Sequence, residues 1–101
     1  MPTFDIEERF RQEYLRLQVQ KRADFLKARD DFFTWLVAKK QQPDLAPPAH
    51  LRLHFIDSKN AWSITFGGDL RALWRYGQEI RPDDPHIIWL TIGTHDVYGA
   101  R

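Results

Sequence analysis

His95, Asp96 and Tyr98 follow an apolar run near the end of the sequence, and Arg52, His54, Arg71 and Arg75 precede them at alternating positions. A histidine, with an ordinary pKa of about 6.5, can take or give a proton near neutral pH. An arginine stays charged and offers paired donors to a phosphate. A tyrosine can donate a proton or stack on an unpaired base. Each residue also has a plainer use. His95 could bond the backbone of its own turn. Arg71 could pair with Asp69 or Glu79, a surface ion pair worth about 0–1 kcal/mol. Tyr98 could pack, and Arg52, His54 and Arg75 could be solvated strand residues or contacts to a protein partner.

Other chemistries find less support. His50, His54, His86, His95 and Asp96 show no spacing of a known metal site, so no metal or other cofactor is expected. Gly67-Gly68 is not followed by the helix and Lys-Ser/Thr pair of a phosphate loop. The absence of cysteine excludes disulfides, thiolate catalysis and cysteine zinc sites. Net charge is +1, from 15 basic and 14 acidic residues, so any nucleic-acid surface must be a local arrangement of cations. The longest apolar run is too short to span a membrane. No basic stretch leads into an apolar one at the start, so a cytoplasmic protein is expected.

The elements that must carry these residues follow from periodicity. With 101 residues and 43% hydrophobic content, a single domain over residues 1–101 is expected. Residues 6–42 read as helix. Phe10, Tyr14 and Leu17 form one stripe, and Phe25, Ala28, Phe32, Trp35 and Leu36 form another. The polar stretch 19–23 between them implies two helices or one broken helix. Pro43, Pro47 and Pro48 end the helical part. Residues 3–6 are a candidate first strand.

From residue 50 to 93 the period becomes two. In 51–56, Leu51, Leu53 and Phe55 would point one way and Arg52 and His54 the other. Trp62, Ile64 and Phe66 alternate with Ser63 and Thr65. Gly67-Gly68-Asp69 suits a hairpin. Arg71, Leu73 and Arg75 alternate with Ala72, Trp74 and Tyr76. Residues 86–92 are apolar on both faces, as in a central strand. The expected fold is therefore α+β, with two N-terminal helices packed on a twisted antiparallel sheet of about four strands. The helices would cover Leu53, Phe55, Trp62, Ile64, Phe66 and Trp74. The other face, with Arg52, His54, Ser63, Thr65, Arg71 and Arg75, would be polar, cationic and open.

Four segments in this order carry a resemblance: Leu51-Arg52-Leu53-His54, Ala61-Trp62-Ser63-Ile64, Gly68-Asp69-Leu70-Arg71-Ala72-Leu73-Trp74-Arg75 and Ile92-Gly93-Thr94-His95-Asp96-Val97-Tyr98-Gly99. Together they resemble the RelE/ParE superfamily of toxins from type II toxin–antitoxin systems, and within it the RelE-, YafQ- and HigB-like mRNA interferases. The resemblance covers residues 51–99.

It implies a toxin that is blocked by a cognate antitoxin protein. In the ribonuclease branch the toxin enters the ribosomal A site and cuts mRNA without metal, by attack of a 2′-hydroxyl on the adjacent phosphate. Arg71 matches the sheet arginine of the family; His95 and Tyr98 match its C-terminal catalytic segment. His95 would then be general base or acid, Arg71 the phosphate clamp and Tyr98 an orienting or proton-donating group. Arg52, His54 and Arg75 would be secondary RNA contacts.

One departure is plain: some members carry strand lysines where this chain has Ser63 and Thr65, which moves the chemistry toward His95. Two alternatives belong to the same resemblance. One is a ParE-like DNA gyrase poison, which needs no proton-transfer residues after the last strand. The other is an inactive domain that only binds its antitoxin.

Overall fold

The computed structural model describes residues 1–94. The chain runs through strand β1 (Thr3–Ile6), helices α1 (Glu8–Arg16) and α2 (Val19–Ala38), and strands β2 (His54–Ile56), β3 (Ala61–Phe66), β4 (Leu70–Gly77) and β5 (His86–Gly93). The sheet order is β1-β5-β4-β3-β2. β2 to β5 pair antiparallel, and β1 pairs parallel to β5, Thr3 opposite His86 and Ile6 opposite Trp89. The sheet is thus five-stranded and mixed, one strand more than the four-stranded antiparallel expectation. The added strand is the candidate at residues 3–6.

Two helices form, but they part at Leu17 and Gln18 rather than in the polar stretch 19–23. Both residues are extended, and the polar stretch is the first turn of α2. Arg22 explains how the break is held: its Nε donates to the Leu17 carbonyl (3.1 Å) and its Nη2 to the Leu15 carbonyl (2.8 Å). These are carbonyls that the end of a helix leaves without partners. At the far end of α2, the Trp35 indole donates to the Leu45 carbonyl at 2.9 Å and fastens the proline-rich connection.

The apolar stripes meet the sheet as their spacing predicts. Phe10 of α1 and Phe25, Ala28, Phe32 and Leu36 of α2 share one core with Ile64, Phe66, Leu70, Ala72, Trp74, Ile87, Trp89 and Ile92. Aromatic rings dominate it. Phe32 lies 4.6 Å from Trp74, and Phe25 meets Trp89 edge-on at 5.1 Å. Leu53 and Trp62 pack partly against this core, whereas Phe55 is 42% exposed and lies outside it.

Three features depart from a simple alternating sheet. First, residues 51–56 are not one strand. Ala49–Leu51 is a 3-10 turn that buries Leu51 completely, and Arg52 follows in the left-handed region (φ 47, ψ 44). The apolar alternation there serves a turn, and only His54–Ile56 joins the sheet. Second, β5 carries a bulge. Leu73 pairs with Thr91 but Trp74 pairs with Trp89, so Leu90 is extra and the inward set becomes Trp89 and Ile92. Third, the face away from the helices is not open throughout. Ser63, Thr65, Leu73 and Thr91 on it are all buried, and its cations lie around that buried centre.

At the β1 edge, His86 ties the parallel pair together. Its Nδ1 is 2.7 Å from the Thr3 hydroxyl and its Nε2 is 2.9 Å from the Asp5 carboxylate. The ring fits because its β4 neighbour is Gly77, where a Cβ would stand 2.8 Å from the His86 ring and 2.7 Å from Ile88. Asp84, in the turn before β5, accepts from Lys40 at 3.2 Å and from the Met1 amino group at 3.3 Å; these bonds hold its carboxyl below the usual range. No helix among the described residues is long and apolar enough to cross a membrane.

Candidate functional site

Arg71 is the second residue of β4. It stands between Thr65 of β3 and Gly93, the last residue of β5. Its side chain is half-buried, and Nη1 donates to the Leu70 carbonyl at 3.2 Å. Two residues on, Leu73 is flanked by Ser63 and Thr91, and His54 of β2 completes that row beyond Ser63. Arg75 follows on the same face, exposed and opposite Ile88. The alternation read from the sequence therefore brings Arg71, Arg75 and His54 to one side of the sheet.

Arg52 does not join them as a strand neighbour, contrary to expectation. Its left-handed backbone takes it out of the ladder and into the wall of a cavity beside α2. His54 is exposed, and its Nδ1 lies 2.8 Å from the Arg52 carbonyl. His95 and Tyr98 lie outside the described residues, as does Asp96. What is visible is their point of departure. Gly93 faces Arg71, Thr94 is exposed, and His95 is the next residue along the chain.

Sequence reasoning missed the residue that fixes this departure point. β1 stops at the level of Trp89, so the edge of β5 beyond it needs other partners. Glu13 of α1 supplies them. One carboxylate oxygen accepts from the Thr91 hydroxyl at 2.6 Å and from the Ile92 backbone N–H at 3.1 Å. The other takes an ion pair from Arg9 at 3.3 Å. In the sequence Glu13 is one more charge of α1, beside the Phe10 stripe, and nothing marks it as a cap on a strand edge.

Replacing Glu13 with alanine would leave both donors without a protein partner, at a cost of about 1–3 kcal/mol. Glutamine keeps an acceptor and should recover most of it. Urea unfolding of the two variants tests this. An alanine variant within about 0.5 kcal/mol of the parent, the usual range for an indifferent surface change, would sink the assignment.

Of the histidines weighed as metal ligands, the described ones, His50, His54 and His86, lie apart. His50 bonds Asp31 at 3.0 Å, His54 sits by Arg52, and His86 is at the β1 edge. No group of three His, Asp or Glu side chains among the described residues converges on one point.

No family model matches the sequence, and no curated protein matches it significantly. Solved structures do. YafQ from E. coli strain BL21(DE3) aligns over 99% of this chain and 100% of its own, with a TM-score of 0.56 and 14% identity. The conserved hypothetical protein HP0894 from Helicobacter pylori aligns over 95% of this chain and 97% of its own, with a TM-score of 0.48 and 12% identity. Two N-terminal helices on a five-stranded, mostly antiparallel mixed sheet, in the arrangement shared with YafQ, give this chain the RelE-like α+β fold.

Proposed function

We propose that this chain is the toxin of a type II toxin–antitoxin system and acts as a metal-independent, ribosome-dependent mRNA endoribonuclease. The observation that carries the proposal is the register that pairs Arg71 with Gly93, two residues before His95 in the sequence. The RelE-like fold supports the same reading.

The chemistry divides among three groups. His95 takes the proton from a 2′-hydroxyl, whose oxygen attacks the adjacent phosphorus. Arg71 stabilises the charge that gathers on the phosphoryl oxygens. The bond from phosphorus to the 5′-oxygen breaks, and that oxygen leaves with a proton from Tyr98 or from the protonated His95. Arg75 and His54, on the same face, hold neighbouring parts of the RNA strand, and Arg52 does so from the adjoining cavity. A cognate antitoxin silences the protein by laying a helix or extended segment over its apolar and cationic surfaces.

A second reading has one specific observation in its favour. Ser63 and Thr65 stand buried where some toxins of this kind present lysines, which suits a domain that binds its antitoxin without cutting. Tightly controlled expression of the wild type in a bacterial host, with transcript 5′ ends mapped within minutes, separates the readings. Rapid arrest with new ends inside translated frames is the expected result. Arrest without new ends would turn the assignment to a gyrase-type target, and no arrest would favour the inactive domain.

A further inference from the structure

β2 pairs only with Ala61, Trp62 and Ser63, so the last three residues of β3 have no strand on that side. The gap opens into a cavity of about 660 Å³ between α2, the segment around Arg52 and the β3–β4 turn. Five ionisable side chains line it: Asp24, Lys27 and Asp31 from α2, with His50 and Arg52. Such density of charge is not needed to close a core, and two of these groups already satisfy a third. Asp31 is bonded to His50 at 3.0 Å and paired with Lys27 at 3.6 Å.

Arg52 and Asp24 are left with capacity. Arg52 makes no side-chain ion pair among the described residues, although its backbone is held in a left-handed conformation that a side chain rarely adopts. Such conformations persist where surrounding structure enforces them and gather at ligand sites. Asp24 uses one oxygen for the Gln20 amide, at 3.1 Å. Its other oxygen faces the Gly67 turn, 3.2 Å from where a Cβ at Gly67 would lie. Lys21 pins that turn through the Gly67 carbonyl at 2.9 Å, and the space beside Gly68 is open to an approaching ligand. Thr65 lines the same cavity and carries a buried hydroxyl without a partner.

Thr65 is also the cross-strand neighbour of Arg71. Such neighbours are about 4.5–5.5 Å apart, so the cavity adjoins the phosphate clamp. We propose that the cavity receives one nucleotide of the RNA strand, next to the phosphate held at Arg71. Arg52 grips its phosphate, and the open carboxylate oxygen of Asp24 accepts from an amino group on the base. This rests on the ribonuclease reading and extends it. A carboxylate recognises the amino group of cytosine, and adenine presents one as well. Guanine carries an exocyclic amino group too; uracil has none and offers only its ring N3–H. The site therefore selects against uracil.

The test is titration of the whole isotope-labelled chain with the four nucleoside 3′-monophosphates, followed by backbone amide shifts. The expected result is a response of the Lys27, Thr65, Gly67 and Gly68 amides at about 1 mM nucleotide, a concentration suited to weak single-nucleotide binding. Uridine should bind severalfold more weakly than the other three. Arg52→Ala should weaken all four about tenfold, the scale of a lost charge-assisted hydrogen bond. Asp24→Ala should abolish the discrimination against uridine. No response at these amides, equal binding of uridine by the wild type, or an unchanged response in Arg52→Ala overturns the proposal. Nucleotide binding here without transcript cutting in cells would leave the site standing and remove the nuclease reading. Cutting whose base preference survives both substitutions would do the reverse.

Discussion

Transcript cutting is expected to fall about 100- to 10,000-fold when His95 is replaced by alanine, the range that a positioned general acid or base contributes. The expectation has a chemical and a structural basis. A 2′-hydroxyl is a poor nucleophile until its proton is taken, and β3 brings no lysine to the sheet face that could share this work. It has Ser63 and Thr65 instead, both buried. The cations on that face are Arg71 and Arg75, and a guanidinium can stabilise charge but does not serve as a proton acceptor. The proposed mechanism assigns proton transfer to His95, because a histidine ordinarily titrates near neutral pH. The measurement is the rate of appearance of new 5′ ends, with thermal unfolding as the check on folding. A folded His95→Ala protein that cut at the parent rate would leave this mechanism without its base.

The parts of this molecule that were legible beforehand share one property: their signal is local. Phe25, Ala28, Phe32 and Leu36 follow the helical period, and they form the buried side of α2. Ile64, Phe66 and Trp74 follow the strand period, and they face the helices. What could not be read depends on partners distant in sequence. The Thr3 to His86 bond spans 83 residues, and a parallel partner leaves no mark on either strand. Residues 51–56 misled because Leu51, Leu53 and Phe55 alternate as a strand would. Leu51 reaches the core from a 3-10 turn, and Arg52 pays for that turn with a left-handed backbone.

The candidate site divides in the same way. Arg71, Arg75 and His54 share a face because alternation is a property of each strand alone. That Arg71 meets Gly93 depends on the bulge at Leu90, since without the extra residue every later pair would shift by one. Glu13 and the Asp24, Asp31 and His50 group arise where α1 and α2 meet strand edges. No spacing within one element records such a meeting.

The largest loss of stability from a single change is expected at Phe32. Its ring is fully buried and lies within 4.6 Å of Trp74, 5.7 Å of Phe33, 6.0 Å of Trp89 and 6.3 Å of Trp35, measured between ring centres. Alanine would remove the apolar transfer energy of the ring and leave a cavity. Four large rings cannot close that space without giving up their own contacts, so the cost is about 3–5 kcal/mol. A domain of this size has about 5–15 kcal/mol in total. The variant should therefore unfold at a much lower urea concentration with its slope unchanged. A loss below about 1 kcal/mol would mean that α2 can shift into the gap, and that the aromatic layer does not fix its position. That outcome would reach the site as well, because α2 carries Asp24 and Lys27 and forms one wall of the cavity beside Arg71. A Phe32→Ala protein that loses stability as expected, yet keeps the proposed nucleotide response at the Lys27, Thr65, Gly67 and Gly68 amides below its unfolding transition, would show that the wall is held by the sheet edge and the Lys21 bond as much as by the core.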